Sequence, residues 1–221
     1  MSSFAAMDIA NIPYRYITVE GNIGAGKTTL ATLLADRLYS RLILEEFADN
    51  PFLPRFYENP QQYAFPLELF FMAERYKQLT ENPLTPDLFG SFTVSDYLFT
   101  KCLLFARVNL QEEEYRLFMR LFEIMNQQIV LPDIVIYLHA PVRKLQQNIQ
   151  KRNRAYELNI PDQYLYDIQE TYQHFIRTNP VPTLLIDVSD ADFLNNPHQL
   201  NTVIESLGQS YEPGTHVINL Q

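Results

Sequence analysis

Residues 20–29 read EGNIGAGKTT and carry the densest chemistry in the chain. Gly21 is followed after four residues by Gly26, Lys27 and Thr28, the GxxxxGK(S/T) spacing of a phosphate-binding loop. Backbone N–H groups from Asn22, Ile23, Gly24, Ala25 and onward to Thr28 can converge on one concavity, and glycine lets the backbone come close. Lys27 adds a mobile cation for the outer phosphates, Thr28 a hydroxyl that can ligate Mg²⁺, and Thr29 continues the helix start whose dipole favours an anion. The loop implies a bound nucleoside triphosphate and leaves open what receives the phosphate.

Three further groups are candidates for the acceptor side. Glu45 and Glu46 close an apolar stretch just before DNPF, and a carboxylate there could take a proton from an attacking hydroxyl or be a solvated acidic pair. Segment 57–75, YENPQQYAFPLELFFMAER, is crowded with aromatics, and helical spacing aligns Glu68, Met72 and Arg75 on one strip. Such a helix could stack a base and read its edge, or its rings could simply be core. Glu68 stands out because a carboxylate among apolar groups needs a partner. Finally, 143–157 holds Arg143, Lys144, Lys151, Arg152 and Arg154 before the first acid, Glu157. Two arginines in a loop after a helix could close over phosphates, or the cluster could only complement a helix C-terminus.

The elements that position these groups alternate. Short apolar runs suited to strands buried on both faces occur at 14–20, 41–45, 91–96, 133–139 and 183–188. Helical patterns lie between them at 27–38, 65–79, 112–129, 142–152 and 162–176. This order predicts an α/β fold with a parallel sheet covered by helices on both faces. Ligands in such sheets bind beyond the carboxyl ends of the strands, which gathers the phosphate loop, Glu45 and Asp96 at one crevice. Ser95, His139 and Asp187 also fall at strand ends; the acids from Asp187 to Asp192 read as a solvated turn.

Composition narrows the class. A chain of 221 residues with 47% apolar residues suits one sizeable domain. The net charge of −9 argues against a nucleic acid polymer as partner. The single Cys102 fits a reducing, cytoplasmic compartment, no apolar run is long enough to span a membrane, and the N-terminus lacks the pattern of a signal peptide. His174, His198 and His216 lack metal-ligand spacing. The absence of NKxD, and of an apolar run ending in an acidic pair, demotes GTPase and motor ATPase readings.

With these motifs in place, residues 14–207 resemble the deoxyribonucleoside kinase family, in its bacterial purine-deoxynucleoside branch. The family pairs its GxxGxGK(S/T) loop with a glutamate before a spacer and an NP dipeptide; EEFADNP matches, which puts the family's catalytic glutamate at Glu45. Its sugar-contacting tyrosine corresponds to Tyr57, its base-reading amide to Glu68 and a following arginine to Arg75. Its lid pattern corresponds to Arg152, Arg154 and Glu157 before Ile160-Pro161. The resemblance implies a three-layer fold with a five-stranded sheet ordered 2-3-1-4-5 and an Arg-rich lid. It also implies ATP as donor, a deoxynucleoside as acceptor, Mg²⁺ organised by Thr28 and Asp96, and a homodimer. Residues 1–13 read as a flexible N-terminus and 208–221 as a C-terminal tail.

Two departures carry content. The family's (E/D)RS motif appears as SDYLF, so Asp96 keeps the acid but Tyr97 stands where an arginine is expected. Glu68 replaces an amide, and an ionised carboxylate only accepts hydrogen bonds. Guanine presents N1–H and N2–H₂ side by side, which suits that acceptor, so deoxyguanosine is expected over deoxyadenosine. The rivals are a thymidylate-like monophosphate kinase, disfavoured because 45–70 offers only Arg55 for an acceptor phosphate, and a non-catalytic relative, disfavoured by the presence of both Lys27 and Glu45.

Overall fold

A computed structural model describes residues 11–45, 50–81 and 92–220. Glu46 and most of the turn after it lie outside the described residues. Six strands form one sheet ordered β2-β3-β1-β4-β5-β6. They are β1 (Tyr16–Gly21), β2 (Arg41–Ile43), β3 (Thr93–Ser95), β4 (Ile134–His139), β5 (Thr183–Asp187) and β6 (Thr215–Ile218), and every pairing is parallel. The helices are α1 (Lys27–Leu38), α2 (Leu53–Glu58), α3 (Pro60–Glu81), α4 (Lys101–Asn109), α5 (Glu112–Asn126), α6 (Val142–Arg152), α7 (Asp162–Thr178) and α8 (Pro197–Leu207).

The period-2 geometry of the strands sorts their side chains between two cores. Ile17 and Val19 of β1 with Ile134, Ile136 and Leu138 of β4 pack against Leu30 and Leu34 of α1, Leu145 of α6 and Val203 of α8. The alternate residue Tyr137 faces the other way, onto Leu104 of α4 and Ile168, Tyr172 and Ile176 of α7. The parallel sheet is therefore covered on both sides, as its nearly continuous apolar strands require. A third cluster joins α3, α4 and α5 through Met72, Cys102, Ala106, Phe118 and Phe122.

The expected order of five strands is observed, but the sheet has a sixth. Thr215–Ile218, read from sequence as part of a tail, pairs in parallel with β5, Thr183 opposite Thr215 and Ile186 opposite Ile218. Its exposure alternates residue by residue because it is an edge strand with a solvent-facing side, and Val217 is 66% exposed. The run THVI is too short and too polar in alternation to resemble the buried strands on which the five-strand count rested. α3 is also longer than its apolar pattern, starting at Pro60 and running through Pro66 to Glu81.

Candidate active site

Gly21 and Gly24 hold the phosphate loop against the fold. A Cβ on Gly21 would lie 2.7 Å from the Leu138 carbonyl, and one on Gly24 (φ 82°) would lie 2.7 Å from the Leu145 carbonyl. The loop is therefore pressed onto β4 and α6, and glycine is demanded by the protein's own backbone. The Asn22 side chain donates to the Leu165 carbonyl at 2.8 Å and accepts from the Ile23 N–H at 2.8 Å, while Asn148 donates to the Gly24 carbonyl at 2.8 Å. Lys27 Nζ donates to the Asn22 carbonyl at 3.0 Å. Glu20, another strand-end acid, serves as a brace: it accepts from the Leu98 N–H at 2.7 Å and the Tyr172 hydroxyl at 2.7 Å.

Asp96 ties the three strand ends together. One carboxylate oxygen accepts from the Thr28 hydroxyl at 2.6 Å and the other from the Glu45 N–H at 2.7 Å. Glu45, two residues past β2, is buried. Its Oε1 accepts from the Arg75 guanidinium, Nε at 2.8 Å with Nη2 also in contact, and its Oε2 accepts from Lys101 Nζ at 2.6 Å. Burial pushes the Glu45 carboxyl up, but the charges and hydrogen bonds of Arg75 and Lys101 prevail and hold it at about 2. Glu45 is thus anionic throughout the physiological range.

A cleft opens between the phosphate loop and α3, lined by Lys27, Glu45 and Glu68 among others. Leu53, Phe56, Leu67, Phe71 and Phe105 supply apolar lining, and Tyr57 borders it. Glu68 is 2% exposed; one oxygen accepts from Asn109 at 2.6 Å, and Oε2 has no hydrogen-bond partner among the described residues. Burial, only partly opposed by the Asn109 hydrogen bond, raises its carboxyl to about 7. Arg152 and Arg154 border the cleft and both pair with Glu157, Arg154 at 3.4 Å. They leave α6 through Asn153, whose left-handed φ of 56° ends the helix and turns the chain toward the short 3₁₀ turn Ala155–Glu157.

The arrangement brings together Lys27, Thr28, Glu45, Arg75 and Asp96 at one end and lines one cleft with Tyr57, Glu68, Arg152, Arg154 and Glu157. Tyr97 is the exception to any functional reading of its position. It is fully buried, directs its hydroxyl to the Gln78 side-chain oxygen and does not line the cleft. Gln78 in turn donates to the Leu44 carbonyl at 2.8 Å, so this chain of contacts clamps the segment that carries Glu45. Asp187 accepts from Ser189, as the solvated-turn reading expects.

The sequence reading missed the contribution of α4. Lys101, Phe105 and Asn109 recur every four residues and form one strip along the cleft, while Cys102 accepts from Arg75 at 3.1 Å. A lysine at this spacing within the otherwise apolar run LFTKCLLFA was the available signal.

The deoxynucleoside kinase family model matches residues 17–211. The chain belongs to the deoxynucleoside kinase family. A deoxyguanosine kinase of Bacillus subtilis is 34% identical over 189 residues, covering 82% of this chain and 90% of the relative. A deoxyadenosine/deoxycytidine kinase of the same organism is 29% identical over 199 residues, covering 86% and 90%. Among solved structures, deoxyadenosine kinase from M. mycoides superposes with a TM-score of 0.75 at 22% identity, covering 87% of this chain and 98% of that one. The protein is therefore a deoxynucleoside kinase, a phosphotransferase, and its parallel α/β fold is that of the family.

Proposed function

We propose that this kinase moves the γ-phosphoryl group of ATP to the 5′-hydroxyl of a purine deoxynucleoside, deoxyguanosine ahead of deoxyadenosine, in nucleotide salvage. The base enters the apolar cleft toward Glu68 and the 5′-hydroxyl meets Glu45. Glu45 accepts the hydroxyl proton as the 5′ oxygen forms its bond to the γ-phosphorus. The bond from that phosphorus to the β,γ-bridging oxygen breaks, and its electron pair leaves with ADP. Lys27 and the loop 21–29 hold the donor, Arg152 and Arg154 spread the transferred charge, and Tyr57, Arg75 and Glu157 orient the nucleoside. The Thr28 hydroxyl and Asp96 carboxylate are adjacent hard oxygen groups that fit Mg²⁺ and would hold it. When bound, the ion would neutralise phosphate charge.

The observation that carries the base preference is the buried, unpartnered Oε2 of Glu68. A buried acceptor without a donor is costly, and a purine edge that donates removes that cost. Guanine offers two adjacent donors; adenine offers one beside an acceptor. Exposed Leu117 and Ile124 on α5 support the same reading's homodimer, and a cytoplasmic location completes it. The test is phosphoryl transfer from Mg-ATP to the four deoxynucleosides and thymidylate. Deoxyguanosine is expected to give the highest kcat/KM. A pyrimidine, thymidylate or deoxyadenosine well ahead of it overturns the preference.

A further inference from the structure

The Glu45 carboxylate is held by two cations that come from two different helices. Arg75 grips Oε1 with two donors from α3, and Lys101 approaches Oε2 from α4. Lys27 borders the same cleft, and burial, with the Lys101 charge nearby, lowers its ammonium pKa. Asp96 and Glu20 also act on Lys27, so what stands out is a second cation on a carboxylate that Arg75 already holds with two donors.

Lys101 also sits where local structure disfavours it. It is the first residue of α4, at the positive end of the helix dipole, and no acid lies in that first turn. Its side chain is 5% exposed, so its charge is held away from water. A residue that breaks a local rule at the wall of an active cleft points to a functional demand. Tyr97, by contrast, turns its hydroxyl away from the cleft onto Gln78 and supplies no cation.

We propose that Lys101 is a further cation, beside Arg152 and Arg154, that faces the transferred phosphoryl group. It contacts Glu45 and directs its charge to the phosphate oxygens as the new bond to the 5′ oxygen forms. Arg75 alone suffices to orient Glu45. This inference rests on the reading that the 5′-hydroxyl lies at Glu45. It places on α4 a charge that the SDYLF segment lacks at position 97.

The experiment compares the affinity of the enzyme for deoxyguanosine with its affinity for deoxyguanosine 5′-phosphate, by calorimetry without donor. Lys101→Met is expected to weaken the monophosphate about tenfold or more, with nucleoside affinity within about threefold, and Lys101→Arg is expected to restore most of the loss. A role limited to packing would move both affinities together. Because Lys101→Met removes one buried partner of Glu45, the same comparison is made between Glu45→Gln and Glu45→Gln/Lys101→Met, in which the site keeps an uncharged partner. The selective loss of monophosphate affinity is expected there too. Parallel loss, or no loss, in both backgrounds overturns the proposal. Wild-type turnover by Glu45→Gln would instead overturn the placement of the 5′-hydroxyl, whatever Lys101 does.

Discussion

If Glu68 reads the base as proposed, base preference should depend on pH, and the size of that dependence follows from its surroundings. Burial, which outweighs the Asn109 hydrogen bond, pushes its carboxyl up to about 7. Below that value it is a neutral acid that can donate; above it, it is an acceptor only. If deoxyguanosine needs the ionised form and deoxyadenosine the neutral one, the ratio of their kcat/KM values equals a constant times the ionised-to-neutral ratio. That ratio climbs tenfold per pH unit, or about a hundredfold from about pH 6 to about pH 8. Lys27, whose burial lowers its ammonium pKa to about 8, affects both substrates through the donor and cancels in the ratio. Glu45, held near 2, does not titrate in the window. Glu68→Gln removes the titrating group, so its ratio should be flat with pH. It should also fall by roughly 10- to 150-fold at high pH, the equivalent of about 1.5–3 kcal/mol for one charge-assisted hydrogen bond. Initial rates with each nucleoside at subsaturating concentration measure both effects. A wild-type ratio that is unchanged across the window, or a Glu68→Gln enzyme that still favours deoxyguanosine by the wild-type factor, refutes the argument.

Two stability predictions follow from the same geometry. Glu45→Ala leaves Arg75 and Lys101, each with a side chain only 5% exposed, without their carboxylate, and should lower unfolding free energy by about 3–5 kcal/mol in urea titrations. A loss under about 1 kcal/mol would mean that water reaches both cations. Gly24→Ala forces a Cβ to within 2.7 Å of the Leu145 carbonyl at a left-handed φ, and should cost more than the roughly 1–2 kcal/mol of the backbone strain alone. It should also raise the KM for ATP, and an unchanged Tm with unchanged KM would contradict the loop's contact with α6.

The phosphate loop and the alternation of strands with helices were legible because each rests on local pattern: a fixed spacing, buried apolar runs, a helix that starts at Lys27. Spacing alone left Glu45 level with a solvated acidic pair, and only the family resemblance at EEFADNP singled it out. The strip Glu68, Met72 and Arg75 was legible from helical periodicity, and all three are buried. What escaped depended on tertiary context. The strand Thr215–Ile218 pairs only because β5 offers an edge, and its own residues alternate between exposed and half-buried. Helix α4 escaped because its nine residues follow directly on the strand-end SDYLF, so no turn residues mark its start. With it went Lys101 and Asn109, whose partners Glu45 and Glu68 lie past β2 and on α3. Tyr97 could not be read from sequence either, since its partner Gln78 lies on a different element.

The account turns on Glu45 as the group that takes the 5′-hydroxyl proton. The most direct measurement is single-turnover phosphoryl transfer from Mg-ATP to deoxyguanosine by wild-type enzyme and Glu45→Gln at saturating substrates. The account predicts a rate on the order of 10²–10⁴-fold lower for the amide, with nucleoside affinity within a few-fold of wild type. A Glu45→Gln enzyme that transfers phosphate at the wild-type rate would contradict it.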